Sequence, residues 1–351
     1  MGKQNKSASW RTPAISVIIP VRALSYYLLF ENLPEMDKQT FKNFEVIVLP
    51  NEHTTYDITL MNQYSWLRVI PTGAVTRPAQ KRDIGVKNAK GKIIAFIDDD
   101  AYPDENWLTN AMKLFKKTSF LILCGPGALP EKTNLWEKIF DAVLVSFLGS
   151  GKYAYRFTPL KKRFVIDYPS MNFFIRKKTF EKVGGFNSDY WPGEDSKLCN
   201  DIVIKEKGKI LYHPDVLVYH HRRADLKSFL KQHGQYGFHR GAFFSHGDSN
   251  SRELSYLAPL MLVLYLGAIP IIYTLLWLSG SDSFFVYALI PSMLYGLLLA
   301  VIFIQSLLKS KNVIVALGAS VTVALTHVYY GLNFIKGLKK GLNKNNSIYG
   351  K

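Results

Sequence analysis

Short apolar runs alternate with longer polar stretches along the first part of the chain. Ile15–Pro20, Phe44–Leu49 and Ile93–Ile97 are nearly continuous blocks of large apolar residues. They are short enough for strands and too unbroken for one face of a surface helix. Leu67–Ile70 and Leu121–Cys124 repeat the pattern, and polar stretches of helical length, Arg77–Ala89 and Glu105–Thr118, lie between such runs. This alternation predicts an α/β fold with a mainly parallel central sheet covered on both faces. Ligands of such sheets collect beyond the carboxyl ends of the strands, and Pro20, Pro50 and Asp98–Asp100 fall there.

Beyond Glu253 the pattern changes. Ser255–Ser281, Ser283–Leu308 and Asn312–Ile335 contain no Lys, Arg, Asp or Glu. Each is long enough to cross about 30 Å of hydrocarbon as a helix. The expected organisation is a basic extension 1–13, an α/β domain 14–253, a membrane region 254–335 with about three hydrophobic helices, and a basic tail 336–351. Within the α/β domain, segment 135–163 combines the apolar run Leu135–Leu148 with Lys161-Lys162-Arg163, which reads as an interfacial segment or as a core helix with a surface loop. The loop Ser279–Ser283 is acidic and Lys309–Lys311 is basic, so the positive-inside bias places the first outside and the second inside. A third full crossing then leaves Lys336, Lys339, Lys340 and Lys344 outside. Either Asn312–Ile335 re-enters or lies partly at the interface, or the tail sits outside despite its charge.

Lys and Arg number 44 against 27 Asp and Glu, a net charge of +17. Dispersed and flanking apolar segments, these charges suit a protein lying against anionic lipid and argue against a nucleic-acid partner. Met1–Pro13 is polar and Ile15–Val21 is too short for a signal peptide. The expectation is an integral protein of the plasma membrane with its α/β domain in the cytoplasm. Cys124 and Cys199 have the spacing of neither a redox pair nor a zinc site and read as buried thiols. No GxGxxG follows the first strand and no GxxxxGK[ST] occurs, which argues against dinucleotide oxidoreductases and P-loop hydrolases.

Candidate chemistry begins at Phe96-Ile97-Asp98-Asp99-Asp100. Alternation sends Asp98 and Asp100 to one side and Asp99 to the other. Such a pair holds Mg2+ or Mn2+ together with phosphate oxygens; Asp98 holding a sugar hydroxyl and Asp100 capping the next helix are the alternatives. Lys81 and Arg82, on Arg77–Ala89, form a basic face suited to a diphosphate or simply a solvated surface. Glu194-Asp195 opens a helical pattern after Tyr190 and Trp191, a candidate sugar-binding wall. Helix-field stabilisation accounts for both acids; the chemical reading makes Asp195 a general base with Glu194 as helper. One histidine of His220-His221 is expected to complete a metal shell, and His221 is assigned that place; Arg240 is expected to reach a diphosphate.

Together these elements resemble the family 2 glycosyltransferases. The resemblance rests on Ile15–Pro20, Phe44–Leu49, Lys81-Arg-Asp-Ile-Gly85, Phe96–Asp100, Asn172–Arg176, Val183-Gly-Gly-Phe186 and Gly193-Glu-Asp195, in order over roughly 14–240. It implies a GT-A fold, a nucleotide-sugar donor and an inverting single displacement. Asp98 and Asp100 then form the DxD metal and nucleotide site, and Asp195 is the base. Glu52 stands in for an acidic pair usual after the second strand, and Gln235–Arg240 is a relaxed QxxRW element with no Trp after Arg240. Three membrane segments are too few for a polymer channel, so transfer of one sugar to a lipid-linked or membrane-proximal acceptor is expected. The alternatives are a metal-dependent nucleotidyltransferase and a non-enzymatic membrane scaffold.

Overall fold

The structure, a computed structural model, describes residues 12–53, 56–116, 120–186, 193–245 and 253–342. Most of the basic extension, Tyr190, Trp191 and the end of the basic tail lie outside these residues. The strands are β1 (Ile15–Pro20), β2 (Phe44–Leu49), β3 (Leu67–Val69), β4 (Ile93–Ile97), β5 (Ala101–Pro103), β6 (Ile122–Cys124), β7 (Gly127–Ala128), β8 (Arg163–Val165), β9 (Asn172–Arg176), β10 (Ile210–Tyr212) and β11 (Val218–His220). The longer helices include α1 (Pro78–Asn88), α2 (Trp107–Phe115), α3 (Leu135–Leu144), α4 (Glu194–Asn200), α5 (Leu226–Ser245), α6 (Leu254–Leu278), α7 (Ile290–Ser310) and α8 (Val313–Leu342).

The chain divides into two compact units, 1–128 with 158–220 and 129–157 with 221–351. The first is the α/β unit. Its eight-stranded sheet runs β3-β2-β1-β4-β9-β6-β10-β8. β1 pairs in parallel with β2 and β4, while β9 lies antiparallel between β4 and β6. Every residue of β1, β2 and β4 is buried, as their apolar runs require. The polar exceptions in that layer are paired. Glu45, 6% exposed, accepts from Ser16 Oγ at 2.7 Å, the Lys90 amide at 2.7 Å and Arg68 Nη1 at 3.0 Å. These bonds hold its carboxyl below the usual range although burial alone pushes it up. The network joins the amino ends of the strands, opposite the acidic run.

A smaller sheet, β5-β11-β7, carries chemistry-bearing residues. β11 runs antiparallel to β5 with His220 opposite Ala101, directly after the acidic run. Asn172 supports this region from β9, opposite Ile97. Its Nδ2 donates to Val216 O at 2.7 Å and Pro126 O at 3.2 Å, and its Oδ1 accepts from Trp107 Nε1 at 2.9 Å. Cys124 and Cys199 are buried thiols, not a disulfide.

The second unit gathers α3, α5, α6, α7 and α8. This unit takes in 129–157 as well as the chain after His220. The reason is packing: Ile139, Phe140 and Val143 of α3 and Phe229 of α5 form one core with Ile302, Val315, Ala319 and Val323. Leu254–Leu278, Asp282–Ser310 and Val313–Gly341 are long and apolar enough to cross a membrane. Two of the polar side chains that interrupt the third, His327 and Asn333, find partners within the unit, whereas the Thr326 hydroxyl is buried without one. His327 bonds Leu148 O through Nε2 at 3.0 Å and Tyr295 OH through Nδ1 at 2.8 Å, which puts a proton on Nε2. Asn333 Nδ2 donates to Tyr329 O at 2.7 Å.

α5 and α8 meet along a glycine seam. A Cβ on Gly237 would lie 2.4 Å from Tyr330 O, one on Gly241 2.1 Å from Phe334 O, and one on Gly337 1.8 Å from Phe238 O. Only glycine allows such backbone approach. α5 carries Lys227, Lys231 and Arg240, a composition unsuited to hydrocarbon.

Two variants test these supports. Asn172→Ala removes the partner of Trp107 Nε1 and of Val216 O, Pro126 O keeping the Val218 amide, and is expected to destabilise the α/β unit by about 2–3 kcal/mol, read as a lower thermal midpoint. Gly241→Leu is expected to abolish monodisperse folding in detergent. Gly267→Leu, where nothing lies within 4 Å of the added Cβ, leaves it intact; equal behaviour of the two contradicts the seam.

Candidate active site

The site grows from the carboxyl end of β4. After Ile97 the strand opens into a turn at Asp98–Asp100 before β5 begins. The backbone of this turn is anchored from a distant element, since Asn32 Nδ2 donates to Ala101 O. Ligand atoms of Asp98, Asp100 and His220 all lie within 4.8 Å of one another. His220 Nε2 is 3.0 Å from Asp100 Oδ1. Asp99 turns away from this group, as alternation requires. Burial foremost, and then the Asp100 charge, push its carboxyl up to about 6, against a hydrogen bond from Ser25.

The structure brings His220, and not the expected His221, beside Asp98 and Asp100. Neighbouring side chains on an extended segment face opposite ways. His221 belongs to the second unit, where its Nδ1 lies 2.6 Å from Glu137 Oε1 and both side chains are buried. Glu137 is itself half of a capping box with Asn134 at the start of α3.

Helix α1 gives three consecutive residues three duties. Lys81 is 1% exposed, and its ammonium donates to Val21 O, to Leu49 O at 3.0 Å and to Asn51 Oδ1 at 2.6 Å. These three bonds use all of its ammonium protons and tie together the segments leaving β1 and β2. Desolvation lowers its pKa while the Asp99 charge raises it. Arg82 turns to the acidic end, with Nη2 2.8 Å from Asp98 Oδ1. Its Nε is buried with no hydrogen-bond partner, a donor left over for a ligand oxygen. Asp83 Oδ1 accepts from the Phe186 amide at 3.1 Å and secures the turn at Gly184 and Gly185, whose φ angles are +83° and +71°.

Glu194 and Asp195 open α4, as the sequence indicated. Glu194 is buried and takes the Gly193 amide at 3.0 Å. Asp195 Oδ1 is buried with no hydrogen-bond partner. Burial foremost pushes the Asp195 carboxyl up to about 7, opposed by the Arg82 guanidinium and reinforced by Glu194. Arg82 thus answers electrostatically to both acidic groups, Asp98 and Asp195. The buried, unpaired oxygen and near-neutral pKa suit proton acceptance.

Two other expected residues sit differently. Glu52 is exposed in the loop after β2. Arg240 is on α5 in the second unit, with its guanidinium 4.2 Å from the centre of the Tyr256 ring. Sequence reasoning missed Asn32 and saw Asp83 only within a matching run, because their roles depend on partners far away along the chain. It saw Asn172 only as part of a matching run.

Residues 16–184 match the glycosyl transferase family 2 model. A Methanococcus voltae dolichyl N-acetyl-alpha-D-glucosaminyl phosphate 3-beta-D-2,3-diacetamido-2,3-dideoxy-beta-D-glucuronosyltransferase is 23% identical over 344 residues, covering 93% of this chain and 98% of that protein. A Mycobacterium tuberculosis pre-mycofactocin glycosyltransferase is 29% identical over 162 residues, 46% of this chain and 33% of its own length. In fold, the chain is similar to a mannosyltransferase from Pyrobaculum calidifontis solved with GDP-Man and Mn2+, with a TM-score of 0.51, 15% identity and coverage of 96% and 89%. The α/β unit with its acidic strand end and the matched segment agree: 16–184 is a family 2 glycosyltransferase domain of GT-A fold, and the chain that carries it is a membrane-associated glycosyltransferase.

Proposed function

We propose that the enzyme moves a single sugar, with inversion, from a nucleotide-sugar donor to a hydroxyl or phosphate of a lipid-linked or membrane-proximal glycan acceptor. The observation that carries this reading is the convergence of Asp98, Asp100 and His220 at the end of β4. Two carboxylates and an imidazole form a donor set that fits Mg2+ or Mn2+. When bound, such an ion supplies charge neutralisation for a diphosphate. The acceptor class is supported by the Methanococcus voltae relative, whose name specifies a dolichyl-phosphate-linked sugar and which matches nearly end to end. The basic loop Lys309–Lys311 supports a cytoplasmic catalytic domain at the plasma membrane.

In this reading the chain's own residues do the following. Asp98, Asp100 and His220 would hold the cation, which would supply positive charge against the donor diphosphate. Arg82 Nε donates to an oxygen of the departing diphosphate, stabilising charge as the glycosidic bond breaks. Asp195 Oδ1 takes the proton of the acceptor hydroxyl as its oxygen attacks the anomeric carbon from the opposite face. Glu194 raises the proton affinity of Asp195 and fixes the start of its helix.

The decisive assay is release of nucleoside diphosphate by the full chain in vesicles. Nucleotide sugars are offered with Mg2+ or Mn2+, with and without polyprenyl-phosphate-linked glycans. Release that depends on acceptor and is abolished by chelator is expected; donor binding without turnover for any acceptor rejects the proposal. Asp195→Asn is expected to lower turnover by about 10²–10⁴-fold while donor binding persists, and undiminished transfer by a folded variant removes Asp195 from the base role.

The pH dependence has a defined sign. Asp195 must be deprotonated to act and its carboxyl sits at about 7. Turnover is therefore expected to rise about tenfold per pH unit below that value and to level off above it. Stability moves oppositely: a carboxyl raised in the folded state favours folding at low pH and loses that contribution as pH rises to about 7. A turnover profile that is flat from mildly acidic to mildly basic pH contradicts the assignment.

A further inference from the structure

In the second unit, α3 and the junction between α7 and α8 enclose a cavity of about 310 Å3. On the α3 side, Lys138, Asp141, Ala142 and Val145 line it. Their spacing puts them on one helical face. On the other side are Gln305, Ser306, Lys309 and Ser310 of α7, then Asn312 and Val315.

The charges in this cavity are unequal. Asp141 is already matched, because Arg222 Nη2 and Nε lie 2.8 Å and 3.3 Å from its Oδ1. Lys309 Nζ is 3.9 Å from Asp141 Oδ2, too far for a hydrogen bond. Two lysines and a guanidinium thus face one carboxylate, and the surplus is positive. The donors are also in excess. Asn312 Oδ1 is used by the amides of Ile314 and Val315 at 2.9 Å and 3.2 Å, capping α8, which leaves its side-chain N–H groups turned to other acceptors.

The position of the cavity indicates the source of the anion. α7 is apolar for most of its length, and Gln305 is an exposed amide one turn before Lys309. A bare amide on a lipid-facing helix is costly unless it meets a polar partner. Lysines ending apolar helices mark the headgroup level. Trp136 and Leu135, exposed at the start of α3, have the character of residues at that level. The apolar wall of Ala142, Val145 and Val315 continues from the polar end toward the apolar helices.

We propose that this cavity is a binding site for the headgroup phosphate of an anionic membrane phospholipid. Lys138 and Lys309 balance its charge, and Gln305, Ser306 and Asn312 donate to its oxygens, while the Ser310 hydroxyl stays bonded to Ser306 O. Asp141 shares the site, held neutral in effect by Arg222. The lipid's glycerol and first acyl carbons meet the apolar wall. The volume suits one such headgroup rather than a larger ligand. Sugar transfer is not needed for this binding, so the proposal stands apart from the catalytic reading.

The test is retention of phosphatidylglycerol against phosphatidylcholine by the purified full chain, counted by native mass spectrometry. One tightly held phosphatidylglycerol per chain is expected, with phosphatidylcholine lost. The double variant Lys138→Gln, Lys309→Gln is expected to weaken retention about tenfold, while Lys336→Gln, an equal-sign change elsewhere, leaves it unchanged. A smaller variant, Gln305→Leu, keeps the test valid if the double variant does not fold, and weakens retention severalfold. Equal retention of both lipids, or undiminished binding by a folded variant of the cavity, overturns the proposal. Inorganic phosphate or polyprenyl phosphate binding at the cavity in place of phosphatidylglycerol overturns it as well, assigning the cavity to a soluble anion or to the acceptor.

Discussion

Three adjacent carboxylates at the mouth of a fully buried strand are electrostatically untenable unless each finds a different answer. The α/β unit is organised around supplying those answers. Asp98 takes the Arg82 guanidinium, Asp100 takes the His220 imidazole, and Asp99 is buried near Ser25 with its charge partly suppressed. The compensation is deliberately incomplete in chemical terms: Arg82 keeps a buried donor unused and Asp195 a buried acceptor. Unsatisfied groups in a dry site cost stability, and they are where a ligand gains most from binding.

The rest of the unit keeps these partners in place. Lys81 spends its charge on the segments leaving β1 and β2, so that α1 cannot shift without breaking contacts to both. Its neighbours then face the acidic turn on one side and the Gly184-Gly185 turn on the other. Asn172 joins the opening of β9 to α2 and to the segments leading into β7 and β11. A single helix register and a single amide thereby set the spacing of groups that come from widely separated parts of the chain.

What could be read from the sequence follows from the range of the forces involved. β1, β2 and β4 were legible because burial on both faces leaves a continuous apolar run, a purely local record. Asp98, Asp100 and Asp195 were legible because an acidic group at the end of such a run needs an explanation. The choice between His220 and His221 was not legible: it is made by the pairing of β11 with β5, more than a hundred residues apart. Lys81 and Arg82 looked alike as basic residues, and only the positions of Val21, Leu49 and Asn51 separate a structural ammonium from an active-site guanidinium. The same holds for α3, an apolar helix whose true neighbours, Ile302, Val315 and Ala319, lie over 150 residues downstream.

The bonds of His327 bear on how the protein is made. Synthesised after α6 and α7, α8 carries Thr326, His327 and Asn333 in its midst, and a helix so interrupted is a poor solo partner for lipid. Its histidine is matched by Leu148 and Tyr295, both of which leave the ribosome earlier. Biogenesis therefore has a natural sequence: the preceding segments prepare a polar berth, and α8 enters the bilayer as a docking reaction onto protein already there rather than as an independent insertion.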